Sequence, residues 1–203
     1  NYAVALLNTN QSKLALDIIN QAIRLKPDYI DAYYHQGLIY RSLELYDDAL
    51  NAYRKTLQLM PSHENAILNS AAIYIQLKKF NEALSILSNV QFANPSLGYF
   101  YNLGLAHLNL EHFIEADQLF HHIVSQDSNY AEAWNNLGLA LKGLERFEDA
   151  LQCIEKAIIF IHNKINIMII AIISFSWSDV IIKVVDNAFN KDLSFIMNEI
   201  DIT

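Results

Sequence analysis

Residues 134–151 read WNNLGLALKGLERFEDAL, and this stretch decides the fold because its pattern returns along the chain at a fixed interval. The prolines show the interval most plainly, since Pro27, Pro61 and Pro95 stand 34 residues apart. An interval of this size is the mark of a repeat array. The alanines that keep the same interval, with a single step of 33, are Ala15, Ala49, Ala83, Ala116 and Ala150. The sequence therefore predicts a stack of copies of one small unit, with one residue lost in the turn after Pro95.

Each copy of the unit contains two segments that fit α-helices. Apolar residues recur three and four positions apart in both segments, which is the spacing of one helix face. Acidic pairs such as Asp47 and Asp48 stand where the second helix begins, and the proline stands where it ends. A column of small residues crosses the first helix, and its members are Gly37, Ala71, Gly104 and Gly138. Small side chains at this position predict that the two helices approach each other closely there.

The 34-residue unit resembles the tetratricopeptide repeat. In that family the first helix carries a large residue, then Gly, then Tyr, and the second carries Ala, an aromatic residue and Pro; residues 134–158 are the closest copy. The resemblance covers residues 1–162 as about four and a half copies, at 1–29 (partial), 30–63, 64–96, 97–130 and 131–162. It implies an all-α fold, a right-handed α-solenoid of antiparallel helix pairs. Because the chain starts at Asn1 without an initiator Met, we expect it to be a fragment.

The resemblance also implies that the first helices line a concave groove, the usual binding face of such solenoids. The candidate groove residues are Tyr34, His35, Leu38, Arg41, Asn69, Gln76, Tyr101, Asn102, Leu105, Asn109, Asn135, Asn136, Leu139 and Lys142. Few of them are charged, so the expected ligand is a protein or extended peptide with a neutral backbone and apolar or aromatic anchors. A carboxylate clamp, the better-known groove of this family, is disfavoured because other residues hold its Lys and Asn positions.

Asparagine recurs in one groove column, at Asn69, Asn102 and Asn136. Asn is a poor helix former because its amide competes for backbone hydrogen bonds, so its recurrence calls for another reason. The side chain offers a donor and an acceptor, which match the N–H and C=O of an extended peptide. This asparagine ladder resembles the one in the repeat domain of O-linked N-acetylglucosamine transferases. The plainer alternative is that the amides only solvate the groove wall.

The sequence contains no motif for catalysis, a cofactor or a metal ion, and we predict a protein that is not an enzyme. The formal net charge of −8 argues against nucleic acid as a partner, because phosphate binding needs a basic surface. His107 and Glu111 stand one helical turn apart, but His107 fills a column that holds Tyr in other copies, which favours a packed ring. The single cysteine, Cys153, favours a reducing compartment and hence a cytoplasmic location.

The repeat stops at residue 162, and residues 163–203 contain eleven isoleucines with neither Gly nor Pro. The apolar run at 165–173 is shorter than the roughly 20 residues that span a bilayer, which disfavours a membrane helix. Two later apolar stripes, behind Ser178 and behind Asp192, fit helices that cap the stack. Three explanations stay open: a native cap, association with a missing domain or second chain through 165–173, and a tail from an altered reading frame.

The groove and the lack of catalytic motifs together predict the function. We expect non-catalytic recognition of a protein or peptide segment on the concave face, in a scaffold role. The alternative is the N-terminal substrate-recruiting module of a larger enzyme, such as a glycosyltransferase, whose catalytic domain would lie outside these residues.

Overall fold

A computed structural model describes residues 12–90 and 92–174 of the chain. Within these residues the protein forms nine α-helices and no β-strand. The helices are α1 (Ser12–Leu25), α2 (Ile30–Ser42), α3 (Tyr46–Leu59), α4 (Glu64–Gln76), α5 (Phe80–Ser88), α6 (Leu97–Asn109), α7 (Phe113–Gln126), α8 (Ala131–Gly143) and α9 (Phe147–Ser174). The first residues of the partial copy, 1–11, and the capping helices predicted behind Ser178 and Asp192 lie outside the described residues.

The helices form antiparallel pairs that stack side by side. Helices α2, α4, α6 and α8 are the first helices of four repeats, and α3, α5, α7 and α9 are their second helices; α1 is the second helix of the partial copy. Each helix packs against the next one along the chain, so every first helix lies between two second helices. The all-α solenoid of helix pairs predicted from the repeat is confirmed.

The small-residue column marks the closest approach within a pair, as predicted. A Cβ atom built on Gly37 would lie 2.6 Å from Cδ1 of Tyr53, and one on Gly104 would lie 2.9 Å from Cε1 of Phe120. Both facing rings are fully buried and stand sixteen residues after their glycine. In the copy where Ala71 replaces glycine, the facing residue is an aliphatic Leu87 in the same buried cluster. Gly138, however, faces the aliphatic Ile154, whose Cγ1 would lie 2.9 Å from an added Cβ, so glycine in this column does not require a facing ring.

The turn within each helix pair has the same hydrogen-bonded geometry in all four repeats. The residue after the first helix's C-cap is left-handed, and these left-handed turn residues are Glu44, Lys78, Glu111 and Glu145, with φ between 57° and 61°. In the first of these turns, Leu45 N–H donates to the carbonyl of Tyr40 at 2.9 Å, and Glu44 N–H donates to that of Arg41 at 3.0 Å. This pair of hydrogen bonds is a Schellman motif. Glycine usually fills the left-handed position of the motif because it has no Cβ.

The repeat at 64–96 departs from the others after its second helix. Helix α5 ends at Ser88, well before Pro95, whereas α3 ends two residues before Pro61. The phenol of Tyr99 donates to the carbonyl of Leu87 at 3.1 Å and so satisfies a carbonyl at the helix end. Helix α6 then begins two residues after Pro95 rather than three, which agrees with the residue predicted to be missing from this turn.

The last described helix extends past the end of the repeat. Helix α9 runs without interruption from Phe147 to Ser174, so the proposed boundary at residue 162 falls inside a helix. Phe147, Leu151 and Ile158 lie along α9 and are more than half exposed, whereas Leu50, in the column of Leu151, is buried. No further first helix follows α9 among the described residues. Across the described part of the chain, no helix combines the length and the hydropathy needed to cross a bilayer.

Candidate peptide-binding groove

The predicted groove residues lie on the four first helices, α2, α4, α6 and α8. Neighbouring first helices also contact each other, α4 with α6 and α6 with α8, in addition to their second-helix neighbours. A stack is narrower on the side where successive helices touch, so this side is the inner, concave one. Of the fourteen predicted residues, Arg41, Gln76, Asn109 and Lys142 are exposed, and the others except Asn136 are half-buried.

Two asparagines of the predicted ladder are hydrogen-bonded across the repeats. Nδ2 of Asn69 donates to the phenol oxygen of Tyr34 at 3.3 Å, and Nδ2 of Asn136 donates to that of Tyr101 at 3.1 Å. In both pairs the asparagine follows its tyrosine by 35 residues, one position beyond a full repeat. Burial raises the pKa of Tyr34, and it raises that of Tyr101 to about 12, so both phenols stay protonated. The bonds tie each first helix to the next.

These bonds use the amides that the sequence assigned to a ligand. Asn136 is only 4% exposed, so it lies inside the stack rather than on the groove surface. Asn69 also donates to the carbonyl of Asn65 at 2.8 Å, and its oxygen accepts from a guanidinium nitrogen of Arg41. The structure therefore gives these two asparagines a role in joining repeats, an alternative that the sequence reading did not consider.

Asn102 differs from the other two members of the column. In the preceding repeat, the position that corresponds to Tyr34 and Tyr101 holds Leu68, which has no hydroxyl to accept a hydrogen bond from Asn102. Cδ1 of Leu68 would lie 3.7 Å from a Cβ built on Gly98 of α6, so Leu68 does face the helix that carries Asn102. Among the described residues, the Asn102 side chain makes no hydrogen bond. Its half-buried amide keeps both its donors and its acceptor for another partner.

Other polar groove residues are held by their neighbours. Gln76 donates to the phenol of Tyr46 in the preceding repeat at 2.7 Å, and Asn109 donates to the carbonyl of Leu105 at 2.9 Å. The sequence analysis did not identify Tyr46 as a partner, although its spacing of 30 residues to Gln76 is compatible with adjacent repeats. In the last described repeat, Asn135 has a buried Nδ2 with no partner among the described residues.

The two groove tyrosines are each covered by a ring that the sequence analysis missed. Tyr34 lies 4.8 Å from the ring of His63, and Tyr101 stacks on Tyr130 at 5.4 Å with planes 24° apart. His63 and Tyr130 occupy the same register, immediately before a first helix, and His63 also accepts from the Ala66 N–H at 3.2 Å. The shared register was the signal that could have identified them. With one ring face occupied, each tyrosine has less surface to offer a ligand.

A half-buried histidine stands beside this aromatic group. Nδ1 of His35 is buried and has no partner among the described residues. Burial lowers the pKa of His35, and the carboxylate of Asp31 opposes that shift. The ring is therefore mainly neutral at pH 7, and its position beside Tyr34 makes the start of the groove aromatic rather than cationic.

The residues considered for chemistry outside the groove form no metal site in the part of the chain that the structure describes. His107 is half-buried, and its Nδ1 lies 3.3 Å from Nδ1 of His112, so one ring donates and the other accepts. Burial lowers the pKa of His107, while Glu115 raises it and His112 lowers it further. Cys153 is 7% exposed, and burial raises the pKa of its thiol, so it behaves as a small apolar side chain.

Sequence comparisons agree with the repeat geometry. Two family models described as tetratricopeptide repeat match residues 3–64 and residues 131–163. A third model, described as anaphase-promoting complex, cyclosome, subunit 3, matches residues 42–123. Residues 3–64 and 131–163 therefore match the tetratricopeptide repeat.

Solved structures of other repeat proteins share this fold. YrrB, described as a TPR protein with an unusual peptide-binding site, is 25% identical, with a TM-score of 0.69 over 79% of this chain and 83% of YrrB. MamA from Desulfovibrio magneticus RS-1, in a form starting at residue 41, is 22% identical, with a TM-score of 0.73 over 80% of this chain and 93% of that one. At that identity the likeness to MamA concerns the fold alone. No curated protein sequence matches this chain.

Proposed function

We propose that this tetratricopeptide repeat protein is a non-catalytic scaffold that binds a protein segment in extended form along its concave face. The observation that carries the proposal is the surface of the first helices. Leu38, Leu105 and Leu139 are only half-buried there, in register along α2, α6 and α8, with polar amides beside them. Apolar side chains that the stack leaves partly uncovered, next to groups that can pair with a backbone, suit an extended peptide.

The likeness to YrrB supports this proposal. YrrB is a repeat protein of the same fold with a peptide-binding site, and the two chains align over most of their length. Only two of the fourteen predicted groove residues, Arg41 and Lys142, are cationic, and both are exposed at the C-terminal ends of their helices α2 and α8. A ligand segment that is itself largely uncharged therefore fits better than an acidic or basic tail.

The proposal is tested by selecting ligands directly. A library of random twelve-residue peptides displayed on phage is panned on the protein, and enriched peptides are synthesised with a fluorophore for anisotropy titration. Leu105→Lys combined with Leu139→Lys places two charges in the groove and should weaken binding at least about tenfold, since each buried charge lacks a partner. Ile114→Lys is the matched control, because Ile114 is 61% exposed on the second helix α7.

The two variants separate groove binding from general loss of structure. Ile114→Lys should bind as the parent chain does, and circular dichroism must show that the double variant remains helical. If the double variant binds the selected peptides as tightly as the parent, or if no peptide is enriched, the proposal fails. The described residues offer no observation that favours the substrate-recruiting module of a glycosyltransferase, and we do not propose it.

A further inference from the structure

The tyrosine–asparagine bonds separate the asparagines of the groove column into two with an occupied amide and one with a free amide. The inference drawn from this difference rests on the function proposed above. A bond forms where a tyrosine stands one repeat and one residue before the asparagine, as at Tyr34–Asn69 and Tyr101–Asn136. On the first helices, both places where the two residue types occur in this relation carry the bond. Among the described residues the amide of Asn102 is free, and Leu68 stands in the place of the tyrosine.

We propose that Asn102 reads the backbone of the bound peptide, and that Leu68 is the specificity-determining residue that keeps its amide available. The side chain of Asn102 can donate from Nδ2 to a ligand carbonyl and accept at Oδ1 from a ligand N–H. A peptide group in an extended segment presents both, so one residue can hold one peptide unit at two points.

The surroundings of Asn102 define what flanks that peptide unit. Leu68 and Ala72 lie along α4, and Leu105 follows Asn102 by one turn on α6; all three are half-buried. The nearby Arg41 donates one guanidinium N–H to Asn69 and keeps its positive charge, at the exposed C-terminal end of α2. The apolar side chains of Leu68, Ala72 and Leu105 favour small or aliphatic ligand side chains beside the peptide group that the amide holds.

The amides of Asn69 and Asn136 are poor candidates for the same role. A ligand would have to displace the phenol of Tyr34 or Tyr101, and at Asn136 it would also have to reach a side chain that is 4% exposed. Breaking a buried hydrogen bond leaves the former partner unsatisfied, which opposes binding. Asn102 carries no such cost.

A pair of substitutions at Leu68 tests the inference without changing the asparagine. Leu68→Tyr supplies the hydroxyl that Tyr34 and Tyr101 supply to their asparagines, whereas Leu68→Phe supplies the ring without the hydroxyl. The probes are the fluorescent twelve-residue peptides selected on the parent chain. We expect Leu68→Tyr and Asn102→Ala to weaken binding at least about tenfold, and Leu68→Phe by no more than about threefold. The tyrosine hydroxyl occupies the Asn102 amide and the alanine removes it, whereas phenylalanine leaves it free.

The occupied amide is visible without a ligand. In the ¹⁵N–¹H spectrum, the side-chain NH₂ pair of Asn102 is the one that disappears in Asn102→Ala. This pair should shift and exchange more slowly with water in Leu68→Tyr, and it should keep its exchange rate in Leu68→Phe. If the pair is unchanged in Leu68→Tyr, the bond does not form and the geometric basis of the inference is wrong.

The outcomes distinguish this inference from the proposed function. If peptides bind, and Asn102→Ala binds them as the parent does, the groove binds peptides but Asn102 does not read them, and the inference is overturned alone. Equal weakening by Leu68→Tyr and Leu68→Phe would also overturn it, because the ring rather than the hydroxyl would then be responsible. If no peptide is enriched on the parent chain, the proposed function and the inference fall together.

Discussion

Replacing Gly37 by alanine tests how closely the helices of one pair approach. The new Cβ would lie 2.6 Å from Cδ1 and 2.9 Å from Cζ of Tyr53, whereas carbon atoms in favourable contact are about 3.5–4.0 Å apart. The ring must therefore move by about 1 Å. Tyr53 is 0% exposed and cannot turn into solvent, so the neighbouring side chains must move with it.

The size of the effect follows from two opposing contributions. Overpacking of a dense core costs about 1–3 kcal/mol, and a clash with a buried ring belongs at the upper end. Alanine in place of glycine in a helix recovers about 1 kcal/mol through its better helix propensity. We therefore expect Gly37→Ala to lower the free energy of unfolding by about 2 kcal/mol, which lowers the melting temperature by about 4–8 °C for a chain of this length.

The chain contains its own control for this substitution. Gly98 lies in the first turn of α6, and a Cβ built there would be 3.7 Å from the nearest atoms, Cδ1 of Leu68 and Oγ of Ser96. Gly98→Ala should therefore raise the free energy of unfolding by about 0.5–1 kcal/mol. Urea unfolding followed by far-ultraviolet circular dichroism measures both variants against the parent chain.

A second substitution shows whether the tyrosine ring is the cause. The repeat that carries Ala71 faces it with Leu87, so Tyr53→Leu should relieve the clash in the Gly37→Ala background. The double variant should be more stable than the sum of the single effects by about 1–2 kcal/mol, a coupling typical of residues in contact. A Gly37→Ala variant as stable as the parent, or single effects that simply add, would refute the close approach.

Three further predictions concern single groups. Glu44→Gly should raise the free energy of unfolding by about 0.5–1 kcal/mol, because glycine adopts the left-handed turn without the strain of a Cβ; a fall in the urea midpoint would contradict this. Tyr53→Phe should raise stability by about 1 kcal/mol because it removes a buried hydroxyl without a partner, whereas Tyr101→Phe should lower it by leaving the amide of Asn136 unpaired; thermal melts that rank the two variants the other way would refute this. The lowered pKa values of His35 and His107 mean that the unfolded chain binds more protons than the folded one below pH 6.5. The contribution of these two histidines to stability should therefore be constant above that pH and fall as the pH drops from 6.5 through the folded-state values; a urea midpoint that rises between pH 7 and pH 5.5 would exclude this contribution.

The fold could be predicted from the sequence because the same packing contacts recur in several copies of the repeat. Gly37 and Tyr53, or Gly104 and Phe120, stand sixteen residues apart in separate copies, and each copy is an independent observation of one contact. The loop after α5 could not be predicted in the same way. It occurs once, and its course depends on Tyr99 reaching the carbonyl of Leu87, a contact that no other copy repeats.

The groove was predicted only in part, and the reason is physical. Columns of like residues suggested a uniform ladder, but the partner of each amide is set by a different column of the preceding repeat. Tyr34 and Tyr101 occupy two amides, and Leu68 leaves the third one free. The spacing of 35 residues was present in the sequence. The sequence alone did not show that residues at this spacing are in contact. The structure shows that a tyrosine on one first helix contacts the residue that follows its own column in the next repeat.

The tyrosine–asparagine bonds also couple binding to the stability of the stack. In a repeat array, stability is approximately the sum of the units and their nearest-neighbour interfaces, so each bond between first helices strengthens one interface. A ligand that competed for Asn69 or Asn136 would weaken an interface while it bound, and part of its binding energy would be lost. At Asn102 the preceding first helix presents Leu68, which offers no hydrogen-bond acceptor and packs against the buried cluster of Ile67, Ala71 and Leu87. A ligand can therefore use the amide of Asn102 without breaking a bond between first helices, so its binding does not weaken that interface.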